Sequence, residues 1–180
     1  IVTPIGTRYE LLAWATRQPG RYIIEDDYDS EFRLSGKPIP TLQSIDQSER
    51  VIYMNTFTKS LASTIRISYM VLPKSLLHLY YNKLGFYACT VSNFEQYTLA
   101  AFIRDQYFEK HINRMRNHYR SLRDELIAGF KQSPIADRIT ISQENAGLHF
   151  LLHIDSKKSD QELQAMAQTH DITLAFVSDY

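Results

Sequence analysis

The sequence predicts an α/β fold in which a mostly parallel sheet is followed by a smaller α+β unit. Three apolar runs rich in β-branched residues, at 21–25, 50–56 and 65–73, are too short for helices and alternate with helical segments. Because near-continuous apolar strands are typical of sheets covered on both faces, we expect a mostly parallel sheet. After Pro134 the pattern changes to strand, strand, helix and strand, which predicts a distinct α+β unit.

Each element is predicted by its own stretch of sequence. Apolar residues at helical spacing predict a first helix that ends before Pro19-Gly20, and Pro73 is a favourable start for a later helix. The prolines and polar residues of GKPIPTLQSIDQSE predict a loop. The predicted helices are 6–18, 74–84, 93–108, 109–130 and 159–170, and the later strands are 138–142, 148–154 and 172–177. We therefore divide the chain into 1–90, part of a large domain; 91–131, connecting helices; and 132–180, a small α+β domain.

Composition narrows the classes of protein that fit. The chain has 180 residues, of which 44% are hydrophobic, so it can bury one domain core. Its formal net charge is zero, which gives no sign of nucleic-acid binding within this stretch. The one cysteine, Cys89, excludes an internal disulfide framework. With no membrane-spanning run or signal-peptide pattern we expect a cytoplasmic protein, and the many aromatic residues favour contacts between subunits.

Four carboxylates lie at the end of the first predicted strand and just after it, in the segment EDDYD. Strand alternation sends Ile24 and Asp26 to one face and Glu25 to the other, so one carboxylate could face a ligand. Several hard oxygens would suit Mg²⁺ or Ca²⁺, whereas turn-forming acidic residues need no ligand at all. This stretch alone leaves both interpretations open.

Lys59 follows the second predicted strand and points to a more specific chemistry. A lysine amine can form a Schiff base with an aldehyde cofactor, of which pyridoxal 5′-phosphate (PLP) is the common one. PLP also needs an anion at its ring nitrogen, a donor to its phenolic oxygen, and hydroxyl and guanidinium groups on its phosphate. The residues that could supply these groups are Asp26, Tyr28, Thr56, Thr58, Ser60 and Arg66.

Several blocks in order resemble one family. The segments YIIEDDYDSEF, VIYMNTFTKSLASTIRISYMVLP, EKHINRMRNHYRSLRDEL and NAGLHFLL resemble the aminotransferase-like domain of MocR/GabR-type bacterial transcription regulators of the GntR family. That resemblance implies PLP fold type I, as in class I and II aminotransferases, with Lys59 as the Schiff-base lysine. It further implies Asp26 at the pyridine nitrogen, Tyr28 at the phenolic oxygen, and phosphate contacts from Thr56, Thr58 and Arg66.

The same resemblance implies partners and an alternative. A regulator of this kind would sense PLP with an amine or amino-acid effector, bind DNA through a winged-helix domain outside this stretch, and form a homodimer. The alternative is a genuine PLP-dependent aminotransferase, which would use the same Lys59, Asp26 and Tyr28. We expect the chain to correspond to the second half of such a protein. Asn55 and Ser63 replace a glycine and a proline that the family usually has.

Two other features have more than one interpretation. The predicted helix 109–130 carries a basic face, which is either solvated or a contact for phosphate or DNA. Asn145-Ala146-Gly147 predicts a hairpin turn, which the resemblance places near the mouth of the substrate site. The six histidines show no metal-ligand pattern, so we expect no metal site.

Overall fold

The computed structural model describes residues 3–34, 40–145 and 147–179. Twelve helices and strands lie within this part of the chain, joined by three short 3₁₀ turns at Ser30–Phe32, Ala136–Arg138 and Val177–Asp179. In chain order they are α1 (Ile5–Thr16), β1 (Ile23–Asp26), α2 (Leu42–Ile45), β2 (Val51–Thr56), α3 (Phe57–Ser60), β3 (Ser68–Val71), α4 (Lys74–Leu84), α5 (Asn93–Arg104), α6 (Tyr107–Gln132), β4 (Ile139–Ser142), β5 (Leu151–Ile154) and α7 (Asp160–Gln168).

The first sheet has β2 at its centre. β1 pairs with β2 in parallel, with Asp26 opposite Met54, and β3 pairs with β2 antiparallel, with Met70 opposite Met54. The parallel character predicted for the sheet is therefore carried by β1 and β2. Ile24, Asp26, Met54 and Met70 lie on one face and are exposed, whereas Glu25 and Tyr53 point to the opposite, more buried face.

The core lies on that buried side of the sheet. Its fully enclosed apolar residues come from α1, the turn after β1, α2, β2, the segment before β3, and α6. The ring of Phe32 meets that of Tyr119 edge-on, with 5.4 Å between centroids. These buried residues are Ala15, Phe32, Leu34, Leu42, Val51, Ile67 and Ile112. Helices α4 and α5 contain no buried residue, so the core is concentrated around β1 and β2.

The predicted loop over residues 36–49 contains a helix. Residues 35–39 lie outside the described part of the chain, and α2 follows at Leu42–Ile45. Thr41 caps it by accepting a hydrogen bond from the Ser44 N–H at 3.0 Å. Glu25 accepts from the N–H groups of Leu42 and Gln43, at 2.7 and 3.0 Å. Because this second cap comes from a carboxylate distant in sequence, the local pattern could not show it.

The last predicted strand, 172–177, is wrong. The small unit contains a two-stranded antiparallel sheet of β4 and β5, followed by α7, and the segment after α7 ends in a 3₁₀ turn at Val177–Asp179. An apolar β-branched run becomes a strand only where a neighbouring edge accepts its hydrogen bonds. In the described residues, 172–176 pairs with neither β4 nor β5, which explains the difference.

The basic face of α6 has a structural function that the sequence did not indicate. Arg116 and Arg120 donate to the carbonyl oxygens of Glu31 and Leu34, at 2.5 and 2.8 Å. Arg123 donates to the Glu144 carbonyl at 3.1 Å. These arginines are therefore neither simply solvated nor left for a phosphate, because they join the segment after β1 and the turn after β4 to one helix.

No helix in the described ranges is both long enough and apolar enough to cross a membrane.

Candidate functional site

The carboxylates after β1 differ sharply in what they contact. Glu25 forms an ion pair with Arg8 at 3.2 Å and caps α2, so it is a structural group. The side chain of Asp26 is exposed on the opposite face and has no hydrogen-bond or ion-pair partner among the described residues. Strand alternation predicted that Glu25 and Asp26 point to opposite faces, and the structure shows it.

Asp27 belongs to a hydrogen-bonded chain on the buried side of the sheet. Its Oδ2 accepts from the Tyr53 hydroxyl at 2.9 Å and from the Ser30 hydroxyl at 2.8 Å. Asn55 in turn donates to the Tyr53 hydroxyl at 2.9 Å and to Glu31 Oε1 at 3.2 Å. Asp27 is therefore committed to the protein, and Asp26 is the carboxylate of this pair that remains available to a ligand.

Two groups in that chain have perturbed acidities. Burial raises the pKa of the Glu31 carboxyl, and hydrogen bonds from the Glu31 backbone and from Asn55 only partly oppose this effect. Burial also raises the pKa of the Tyr53 hydroxyl, which the Asp27 carboxylate further favours in its protonated form. Glu31 Oε2 is buried without a hydrogen-bond partner among the residues that the structure describes. The folded state therefore disfavours the charged form of Glu31 relative to a solvent-exposed carboxylate, and it keeps the Tyr53 hydroxyl protonated and able to donate.

A cleft of about 590 Å³ opens beside the end of β1. Asp26 and Tyr28 line it, as do Glu25, Asp27 and Asp29, together with residues of the turn that joins β4 to β5. His149 Nδ1 lies 3.7 Å from Asp29 Oδ2 across this cleft, and Gly147 packs directly against Asp29. The turn predicted to lie near a substrate site therefore forms one wall of the cleft that contains Asp26.

Lys59 lies on the short helix α3, which directly follows β2. Thr56 caps this helix by accepting from the Thr58 N–H at 3.2 Å. The Thr58 hydroxyl donates to the Ile65 carbonyl at 2.8 Å, and the Thr56 hydroxyl lies 3.2 Å from the Ile67 carbonyl. Both threonines hold the segment before β3 against α3, so a phosphate role requires them to exchange these hydrogen bonds.

Two cations accompany this helix. Lys59 and Arg66 are exposed, and neither makes a hydrogen bond or an ion pair with any residue that the structure describes. The predicted set therefore lies in two parts: Asp26 and Tyr28 line the cleft, whereas Lys59, Thr56, Thr58 and Arg66 do not. The parallel pairing of β1 and β2 connects the two parts, since it brings both carboxyl ends to the same sheet edge.

The residues present fit PLP in their chemistry. A carboxylate, an amine and a guanidinium that are unpaired in the described part of the chain lie at one sheet edge, and these are the groups that a ring nitrogen, an aldehyde and a phosphate require. Within the described ranges, no group of three or more His, Cys, Asp or Glu side chains is arranged to hold a metal ion. The acidic segment instead divides into one free carboxylate and several that cap or cross-link the fold.

Four groups on the buried side of this sheet edge were not among the predicted site residues. Glu25, Tyr53, Asn55 and Glu31 all contribute hydrogen bonds that fix the ends of β1 and β2. The i, i+2 spacing of Tyr53 and Asn55 was a usable signal, because it places both on the same strand face as Glu25. The partner Glu31 lies in a turn, where no strand periodicity applies.

A family model for aminotransferase class I and II matches residues 9–175. The chain belongs to this family. The uncharacterized HTH-type transcriptional regulator YdeL of Bacillus subtilis is 43% identical over 98% of the chain and 38% of its own length. The probable rhizopine catabolism regulatory protein MocR of Rhizobium meliloti is 34% identical over 97% of the chain and 33% of its own length. The chain thus spans less than half of these relatives.

The fold comparison agrees with the family. A crystal structure of Pyrococcus horikoshii kynurenine aminotransferase superposes with a TM-score of 0.82, at 24% identity, over 97% of this chain and 43% of that one. This match confirms the predicted α/β fold of the PLP-dependent transferases. The relatives confirm the resemblance to MocR-type regulators. The division into domains and the roles of the site residues stay predictions.

Proposed function

We propose that this chain is the effector-sensing part of a MocR-type transcriptional regulator and that it binds PLP through Lys59. The observation that carries the proposal is that the side chains of Asp26, Lys59 and Arg66 have no hydrogen-bond or ion-pair partner in the described ranges. At the same sheet edge, the neighbouring acidic side chains accept hydrogen bonds from the protein. Charged groups placed at the carboxyl ends of parallel strands without a protein partner are those expected to meet a ligand.

Each residue has a role that its contacts permit. When bound, PLP supplies an aldehyde that condenses with amines and a ring that accepts electrons. Lys59 Nζ would hold the aldehyde carbon, and the Asp26 carboxylate would keep a proton on the ring nitrogen. Tyr28 would donate to the phenolic oxygen. Arg66 would bind the phosphate, with Thr56 or Thr58 turning its hydroxyl from a backbone carbonyl toward it.

Two kinds of protein share this site, and the relatives favour one of them. YdeL and MocR, both named as regulators, match the chain over nearly its whole length at 43% and 34% identity. The kynurenine aminotransferase match, at 24% identity, supports the fold alone. We therefore propose a transcriptional regulator as the first candidate function. A true aminotransferase is the second candidate, because it would use the same site residues.

The proposal includes partners and domain arrangement. An amine or amino acid would be the effector, DNA would be bound by a helix-turn-helix segment outside these 180 residues, and two copies would associate. The aromatic side chains of α4 and α5 and the segment between them support association, because Tyr81, Phe86, Tyr87, Phe94 and Tyr97 are largely exposed.

We keep the division at residues 1–90, 91–131 and 132–180, with α6 joining the larger and smaller units.

The test is covalent trapping of PLP in the protein as its gene encodes it. The protein is mixed with PLP, reduced with borohydride and digested, and the labelled lysine is located by mass spectrometry. We expect the label on Lys59 and its loss in Lys59→Ala, whereas Lys83→Ala, which removes an exposed lysine on α4, keeps it. A label on another lysine would refute the assignment.

A second arm separates the two candidate functions. The PLP-loaded protein is tested with a panel of amines and amino acids, and both operator-DNA binding and 2-oxo acid formation are followed. An amine that changes DNA binding without turnover supports the regulator. Steady transamination with no effect on DNA supports the enzyme instead.

A further inference from the structure

A connected set of buried hydrogen bonds lies directly behind the candidate site. Asn55 is 4% exposed, and both its donors and its acceptor are used. Its Nδ2 donates to the Tyr53 hydroxyl and to Glu31 Oε1, and its Oδ1 accepts from the Thr56 N–H at 2.5 Å. The Tyr53 hydroxyl in turn donates to Asp27 Oδ2 at 2.9 Å. The set therefore runs from the end of β2 to the end of β1.

This set is adjacent to both parts of the candidate site. Asp27 directly follows Asp26, and its N–H donates to the Met54 carbonyl at 2.9 Å, which holds the end of β1 against β2. Asn55 directly precedes Thr56, the cap of the helix that bears Lys59. Since Asp26 and Lys59 have no side-chain partners in the described residues, only their backbone anchors them.

We propose that Tyr53 and Asn55 are positioning residues for the cofactor site, because their hydrogen bonds set where β1 ends relative to β2. The proposal rests on the proposed function, since it concerns the spacing between Asp26 and Lys59 that a bound PLP would require. Displacements of the order of 1 Å in such a constellation are known to cost much of a site's performance.

The hydrogen bonds of this set are strong enough to hold the ends of β1 and β2 rigidly together. The raised pKa of Tyr53 keeps its hydroxyl a donor to the Asp27 carboxylate at any physiological pH. A hydrogen bond to a charged acceptor is roughly twice as strong as a neutral one. Arg116 also donates to the carbonyl of Glu31, and this hydrogen bond ties the set to the long helix α6.

The test compares two tyrosines in the protein as its gene encodes it. Tyr53→Phe removes the hydroxyl that binds Asp27. Tyr69→Phe is the matched control, because the Tyr69 ring packs beside that of Tyr53 with centroids 6.1 Å apart but its hydroxyl has no hydrogen-bond partner in the described ranges. We expect PLP affinity to fall about threefold to thirtyfold for Tyr53→Phe and less than about twofold for Tyr69→Phe.

Hydrogen exchange without cofactor gives an independent measurement. Amide exchange over 26–28 and 55–59 should speed up in Tyr53→Phe and in a second variant, Asn55→Ser, but not in Tyr69→Phe. Wild-type protein that does not take up PLP would refute the proposed function itself. Wild type that binds PLP, with a Tyr53→Phe variant that binds it within twofold, would overturn only the positioning role, and so would equal losses in both tyrosine variants.

Discussion

Gly147→Ala should destabilise the protein and disturb the cleft, and the chain offers unusually close controls. Gly147 has φ +82°, a region that costs other residues about 1–2 kcal/mol. A Cβ there would lie 2.5 Å from Asp29 Oδ2 and 2.9 Å from its Cγ, so Asp29 must also move. Because the obstructing group is the end of a short side chain, the steric part should add about 1 kcal/mol to the backbone cost, for a total loss in unfolding free energy of about 2–3 kcal/mol.

Two other glycines separate the causes of that loss. Gly20 has φ +78°, but no described atom lies within 4 Å of the place that a Cβ would take, so Gly20→Ala carries the backbone cost alone, about 1–2 kcal/mol. Gly129 lies in the regular helix α6 with open space around it. Gly129→Ala should therefore stabilise the protein by about 0.5–1 kcal/mol. The same Gly→Ala change is thus expected to alter the unfolding free energy by a different amount at each of the three positions, and with the opposite sign at Gly129.

The assay is urea unfolding followed by the fluorescence of Trp14, which is the sole tryptophan of these 180 residues. PLP affinity is measured on the same variants, and only Gly147→Ala should lower it, because only Gly147 lines the cleft with Asp26. Adding Asp29→Ala should remove the steric part and bring Gly147→Ala back toward the Gly20→Ala value. A Gly147→Ala variant no less stable than Gly20→Ala would show that the turn does not pack on Asp29.

Two further predictions concern charged groups. Because burial raises the pKa of Glu31, the charged form is disfavoured in the folded state, and Glu31→Gln should raise Tm at pH 7. This gain should shrink as the pH falls from the raised pKa of the folded state toward the ordinary value of 4.5, and it should be absent below that value, which melting curves across that range will check. Arg120→Ala should lower the free energy of unfolding by about 1–2 kcal/mol, because it removes the hydrogen bond to the Leu34 carbonyl. Arg104→Ala is its control, since Arg104 is exposed and its ion pair is with neighbouring Asp105; equal urea midpoints for the two variants would contradict the role given to Arg120.

Local signals predicted the elements whose ends are set by their own residues. The predicted helix 74–84 matches the observed bounds, and its start follows Pro73 as expected. The opposite orientations of Glu25 and Asp26 followed from strand alternation alone. Once a segment is helical or extended, the local geometry of the chain fixes which way its side chains point, so these features were predictable from neighbouring residues.

Other features depend on partners that are remote in sequence, and these were missed. The acceptor of Arg120 is a carbonyl 86 residues away, and no pattern within α6 shows that such a carbonyl will be there. The segment 172–176 has strand-like residues but lacks a paired edge in the described fold. Thr56 and Thr58 have the hydroxyls that a phosphate would require, yet both hydroxyls bind or approach carbonyls of the segment before β3.

The three charged side chains at this sheet edge that are unpaired within the described ranges match the three groups of PLP that would need a charged or amine partner. Among the described residues of this edge, Asp26 is a free anion, and Lys59 and Arg66 are two free cations. PLP carries a ring nitrogen that an anion keeps protonated, an aldehyde that an amine binds and a phosphate that a guanidinium recognises. Glu25 and Asp27 also border the cleft, but their carboxylates are engaged by Arg8 and by the Tyr53 hydroxyl. The hydrogen bonds that stabilise the fold thereby also determine which charges remain available to a ligand.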